Sequence, residues 1–133
     1  MENYDELNER PKQRHGFVTT WLILLIIINS IVALVYLFLG DTIAQNLQGE
    51  ISNPILLFLA LLCTANVIFA VLLLKWKKIG FFGYIISGAV ALIVNLNIGI
   101  GIAQSIRGLI GIAVLYGILQ IKKDNISAWE NLE

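Results

Sequence analysis

Lys75-Trp76-Lys77-Lys78 decides the fold. An apolar run, 54–74, ends against this tetrapeptide, and a second run begins at Ile79. A link this short between two runs of membrane length is a hairpin turn, so the helices it joins are antiparallel. Loops rich in Lys and Arg are held on the cytoplasmic side of a membrane, which places the turn there. The turn divides the chain into two helical pairs and fixes the direction of each helix.

Composition points the same way. The chain has 133 residues, is 58% hydrophobic and has a mean hydropathy of +0.82, beyond the range of soluble globular domains. The net charge is zero, but the charges are unevenly spread. Arg10, Lys12 and Arg14 form one basic group, Lys75, Lys77 and Lys78 a second, and Lys122 and Lys123 a third. Arg107 alone lies inside an apolar run. The single cysteine, Cys63, also lies in an apolar run, where it reads as a small packing residue. With one cysteine there is no disulfide framework.

Residues 1–16 are polar, of mixed charge and without apolar periodicity, the pattern of a cytoplasmic tail. The basic collar Arg10-Pro11-Lys12-Gln13-Arg14-His15 reads as a topology signal; its three full charges are few for binding nucleic acid, and none is expected. The first span is expected at 17–39, roughly 34 Å of helix against a hydrocarbon core of about 30 Å. It is too long for the h-region of a signal peptide. Trp21 at one end, with Tyr36 and Phe38 at the other, suits the two interfacial belts. The segment 40–53 holds Asp41 and Glu50 but no Lys or Arg, so it belongs outside. Pro54 then opens a second span at 54–74, a position where its missing N–H costs nothing. The third is expected at 79–96 and the fourth at 98–121. The fourth opens with Ile98-Gly99-Ile100-Gly101-Ile102, poor helix material, so regular helix is expected from about Ser105. The tail 122–133 is expected to be cytoplasmic, with Ile126 and Trp129 placed by a short helix on the headgroups. The fold class is therefore an all-α membrane protein: an antiparallel four-helix transmembrane bundle with both termini cytoplasmic.

Few polar groups fall within the spans. Asn29 lies about 18 Å, and Asn66 about 12 Å, from the cytoplasmic ends of their helices, so they are expected to be neighbours in depth. They read either as an interhelical hydrogen bond or as a midplane site. In the third span Gly83, Ser87, Ala91 and Asn95 recur every four residues, a small-residue stripe suited to close helix approach. Gly101, Ser105 and Gly108 form a similar stripe in the fourth, and these two helices are expected to pack tightly as a pair. Arg107 lies about 21 Å above the cytoplasmic edge, beside Gln104. It reads either as a structural arginine snorkelling outward or as an anion-binding residue facing a cavity.

Catalytic chemistry has little to stand on. The sequence has no metal-ligand cluster, no phosphate-binding loop and no pair of membrane carboxylates, so neither an enzyme nor a cofactor is expected. An intramembrane acid, which proton-coupled efflux requires, is also missing.

The stretch Lys77-Lys78-Ile79-Gly80-Phe81-Phe82-Gly83 and the run from Gly108 through Lys122-Lys123 to Trp129 resemble small uncharacterised four-span bacterial integral membrane proteins. The resemblance covers roughly the second half of the chain. It implies a bacterial cytoplasmic membrane protein and brings no activity or site residue. Two functions are expected from the whole: a non-enzymatic membrane subunit acting by helix packing, as a homo-oligomer or with a membrane partner, or a small anion channel or carrier using Arg107.

Overall fold

A computed structural model of the chain describes residues 13–46, 52–99 and 101–133. Its elements in order are α1 (Gly16–Phe38), α2 (Gly40–Asn46), α3 (Asn53–Leu74), α4 (Ile79–Asn97), α5 (Ile102–Leu119), β1 (Lys122–Lys123) and β2 (Ile126–Ser127). The chain is mostly helical, as expected. Helices α1, α3 and α4 are long and apolar enough to cross a membrane, while α5 holds a shorter apolar stretch, Ser105–Leu119. The expected run 98–121 thus contracts to 102–119, because Ile98 and Gly99 form a turn with Gly99 at φ +81 and Gly101 in extended backbone.

The four long helices pack in chain order, α1 on α3, α3 on α4, α4 on α5. Every contact is antiparallel. Along α1, Arg14 reaches Leu73, Asn29 meets Asn66 and Gly40 abuts Leu56, so partner numbers fall as the chain advances. Between α4 and α5 the pairs are Phe81 with Tyr116 and Gly88 with Ile112. The principal core lies at the lysine-turn end: Val18 and Leu22 from α1, Leu73 from α3, Phe81 from α4, and Leu115 and Leu119 from α5. Toward the far end the helices lose cover, and residues 106–111 of α5 are all exposed.

The expected α4–α5 contact is present, but the nearest neighbours of the stripe glycines lie elsewhere. Gly83 does not seat α5; a Cβ there would collide with the Phe69 ring of α3. One turn earlier, a Cβ on Gly80 would stand 2.5 Å from the Phe69 carbonyl oxygen and 3.1 Å from Leu72 and Leu73. The close approach is therefore α3 to α4, through two glycines that clear space for one phenylalanine. On α5, a Cβ at Gly101 or Gly108 would meet nothing within 4 Å, so neither glycine serves a close contact. Ser105, between them, is buried and donates to the Gly101 carbonyl at 3.1 Å. The α4–α5 contact depends instead on Gly88, where Ile112 Cδ1 comes within 2.5 Å of a Cβ position.

The tail is likewise not a helix on a surface. Lys122 pairs with Ser127 and Lys123 with Ile126 around Asp124-Asn125, both at positive φ (54 and 66). Left-handed conformation at both loop positions is what a two-residue type I′ hairpin requires, and Asp and Asn tolerate it. Ser127 and Glu130 then form a reciprocal capping box: the Ser127 N–H donates to Glu130 Oε2 at 2.9 Å, and the Glu130 N–H to Ser127 Oγ at 3.2 Å. This folds Ala128 and Leu132 into the core and sets Trp129 edge-on to Phe81 (5.1 Å) and Tyr116 (5.3 Å). An indole has more to gain from two aromatic edges and a buried face than from a headgroup layer, and the tail becomes a cap over the end of the helices.

Candidate functional site

Two polar constellations break the apolar pattern. The first surrounds the lysine turn. α3 ends with the Trp76 N–H donating to the Leu73 carbonyl (3.1 Å) and the Lys77 N–H to the Leu72 carbonyl (2.8 Å). That is the Schellman pattern, with Trp76 at φ 65 in the left-handed position normally given to glycine. Arg14 lies over the Trp76 ring at 3.8 Å and donates to the carbonyls of Leu73 and Leu74. A guanidinium there adds donors to the last carbonyls of the helix and answers its negative end. Burial pulls the Arg14 guanidinium below its ordinary range, a desolvation cost that these bonds offset. The cap closes on the same turn: the Glu133 N–H donates to the Trp76 carbonyl at 2.8 Å, and the Lys78 N–H to the Glu133 carbonyl at 2.9 Å. In the sequence Arg14 reads only as part of a basic collar. No local signal links it to a carbonyl some sixty positions away.

The second constellation lies inside the helices. Asn66 Nδ2 donates to Asn29 Oδ1 at 3.4 Å, and Asn29 Nδ2 donates to the Leu25 carbonyl at 2.8 Å. The bond between the two amides is long, so each gains only part of what a good interhelical bond gives. Both asparagines line a cavity of about 220 Å³ bounded by α1, α3, α4 and α5. Trp21, Tyr84 and Ser87 share its wall, together with Ala91, Gly108 and Gly111. Three polar atoms of these residues are buried and have no hydrogen-bond partner: Trp21 Nε1, Asn66 Oδ1 and Tyr84 Oη. None of the wall residues is charged.

The remaining sequence candidates are scattered. Arg107 is exposed on α5 and is not part of this cavity wall. Gln104 sits in the first turn of α5, and its side chain lies outside the described residues. Asn95 is half-buried near the far end of α4. His15 caps α1, its Nδ1 accepting from the Phe17 N–H at 3.1 Å. Among the described residues no group of His, Cys, Asp and Glu is placed to hold a metal ion. Neutral amides, a phenol, an indole and a serine can bind and orient a ligand; they bring no nucleophile paired with a base. No protein family, curated protein or solved structure matches the chain.

Proposed function

We propose that this chain is a four-span bacterial cytoplasmic membrane protein with both termini inside, acting as a non-enzymatic subunit that packs against a second copy or a membrane partner. One observation carries the reading. Among the described helices α5 packs chiefly on α4, and it presents Ala103, Arg107, Ile110, Val114 and Gly117 on a continuous outward face. Spacings of four, three, four and three put these residues on one stripe. Gly117 has nothing within 4 Å of a Cβ position, and Ile110 is 56% exposed. A stripe holding a glycine and an arginine is poorly matched to lipid tails and well matched to another helix. The apolar outer surfaces of α1, α3 and α4 suit lipid, and the lysine-bearing end suits the cytoplasmic face.

The test is mass measurement of the full chain in mild detergent, with cysteine cross-linking on a Cys63→Ser background. Ile110→Cys should cross-link to a second copy or to a stoichiometric co-purifying protein, and Ile68→Cys, on the lipid-facing side of α3, should not. A monomeric mass, with no cross-link and no partner, would sink the reading.

A further inference from the structure

We infer that the partner on the α5 face is a second copy of this chain, and that Arg107 of each copy pairs with Asp41 of the other at the outer end of the helices. The inference rests on the packing role and the membrane placement proposed above and commits them to one partner. Charge at this end is sparse. Among the described residues between Ser30 and Ala65, and between Ile85 and Gln120, the only charges are Asp41 and Arg107. Both residues are exposed, and neither forms an ion pair or a side-chain hydrogen bond with the described residues. They also stand at one level. Arg107 is in the second turn of α5, about 7–8 Å inward from Ile102, a distance its own side chain can reach across. Asp41 is in the first turn of α2, just past the end of α1 at Phe38.

Each charge has a surface that suits the other. Asp41 shares an open cleft of about 380 Å³ with Tyr36, Phe38, Asn53 and Leu57, where the end of α1 meets the start of α3. No cation lines this cleft. A planar guanidinium suits the carboxylate and the two aromatic rings together. On α5, residues 106–111 are all exposed, so Arg107 projects from a segment that no described element covers. An arginine left among lipid tails carries an insertion cost, and charged groups at such depths pair with one another. A lipid phosphate would answer Arg107 but leave Asp41 and its cleft as they are. A second copy supplies the acid and the base together. A two-fold axis along the membrane normal keeps both outer ends level and makes the pair twice.

The test uses the full chain in mild detergent, with mass measured over a dilution series. A dimer is expected. Arg107→Glu and Asp41→Lys each set like charges opposite one another and should weaken it about tenfold or more, the scale of a close interfacial charge pair. The double variant restores opposite charges in reversed order and should recover most of that loss. Both positions are exposed, so the monomer keeps its fold, which circular dichroism checks. On the Cys63→Ser background, copies with Arg107→Cys and differently tagged copies with Asp41→Cys should join through a short bifunctional thiol reagent. A dimer unmoved by both single variants, or not rescued by the double variant, overturns the pairing and leaves the packing role standing. A stoichiometric partner of different sequence does the same. Loss of the dimer with Arg107→Glu while Asp41→Lys is silent also overturns it and assigns Arg107 to a lipid phosphate. A monomer throughout the series removes the pairing and the packing role together.

Discussion

Arg14 joins three segments that are distant in sequence. Its guanidinium answers the last carbonyls of α3 and stacks on Trp76, while the neighbouring Gln13 carbonyl accepts from Asn131 Nδ2 at 2.9 Å. Trp76 holds a left-handed conformation that costs a non-glycine residue about 1–2 kcal/mol, and the stack is part of what offsets it. A double-mutant cycle with Arg14→Gln and Trp76→Leu, read by unfolding in detergent, should give a coupling of about 0.5–2 kcal/mol. Additive effects would show that the stack is incidental. For the asparagine pair, Asn29→Leu should cost no more than about 0.6–2 kcal/mol, because the bond it removes is long. A loss well beyond that range would mean that Asn29 has a partner stronger than the Asn66 amide.

At the scale of elements, the cap and the α3–α4 contact dominate. Trp129→Leu removes two edge-to-face ring contacts and the cation of Lys78 lying 4.8 Å from the ring. A loss of about 1–3 kcal/mol is expected in thermal unfolding, each aromatic pair being worth about 0.5–1.5 kcal/mol. A tail lying on headgroups would show no such loss in detergent. By contrast, the Lys77–Glu133 ion pair, at 3.7 Å and exposed on both sides, should contribute little, and Lys77→Gln should be close to silent. Gly83→Leu would drive a branched side chain into Phe69 and should separate α3 from α4, whereas Gly101→Ala should be tolerated. Reversed sensitivities would move the closest glycine contacts to the α4–α5 interface, as the small-residue stripes alone suggest.

At the scale of the whole molecule, orientation and the role of Arg107 are measurable. Reporter fusions within 40–53 and after Lys123 should report opposite sides of the membrane, since the first segment lacks Lys and Arg and the second follows a lysine pair. Arg107→Lys should shift the melting temperature by less than about 3 °C, because an exposed cation is replaced by one that also snorkels. Arg107→Leu should likewise leave the monomer folded and act, if at all, on the assembled mass. A large drop with lysine would show that the planar guanidinium is bonded bidentately and would favour the anion-conducting alternative, which selective flux through reconstituted protein would establish.

The sequence by itself determined the class and the linear plan. Run length fixes a helix when about 1.5 Å per residue must match an apolar thickness, and the short link at Lys75-Trp76-Lys77-Lys78 leaves only an antiparallel hairpin. Depth arithmetic also set Asn29 beside Asn66. Rotation about each helix axis was not legible, because a helix that is hydrophobic all round carries no stripe to orient it. Gly83 could therefore face either neighbour until Phe69 was placed against it. The cavity was hidden for the same reason, since its wall takes one or more residues from each of four helices and includes Gly108 and Gly111 for what they lack. The tail did carry signals, Asp124-Asn125 for a hairpin and Ser127-Ala128-Trp129-Glu130 for a capping box. Only the tertiary structure decided their outcome, because Trp129 turns inward for Phe81 and Tyr116, and those rings meet only after α4 and α5 have packed.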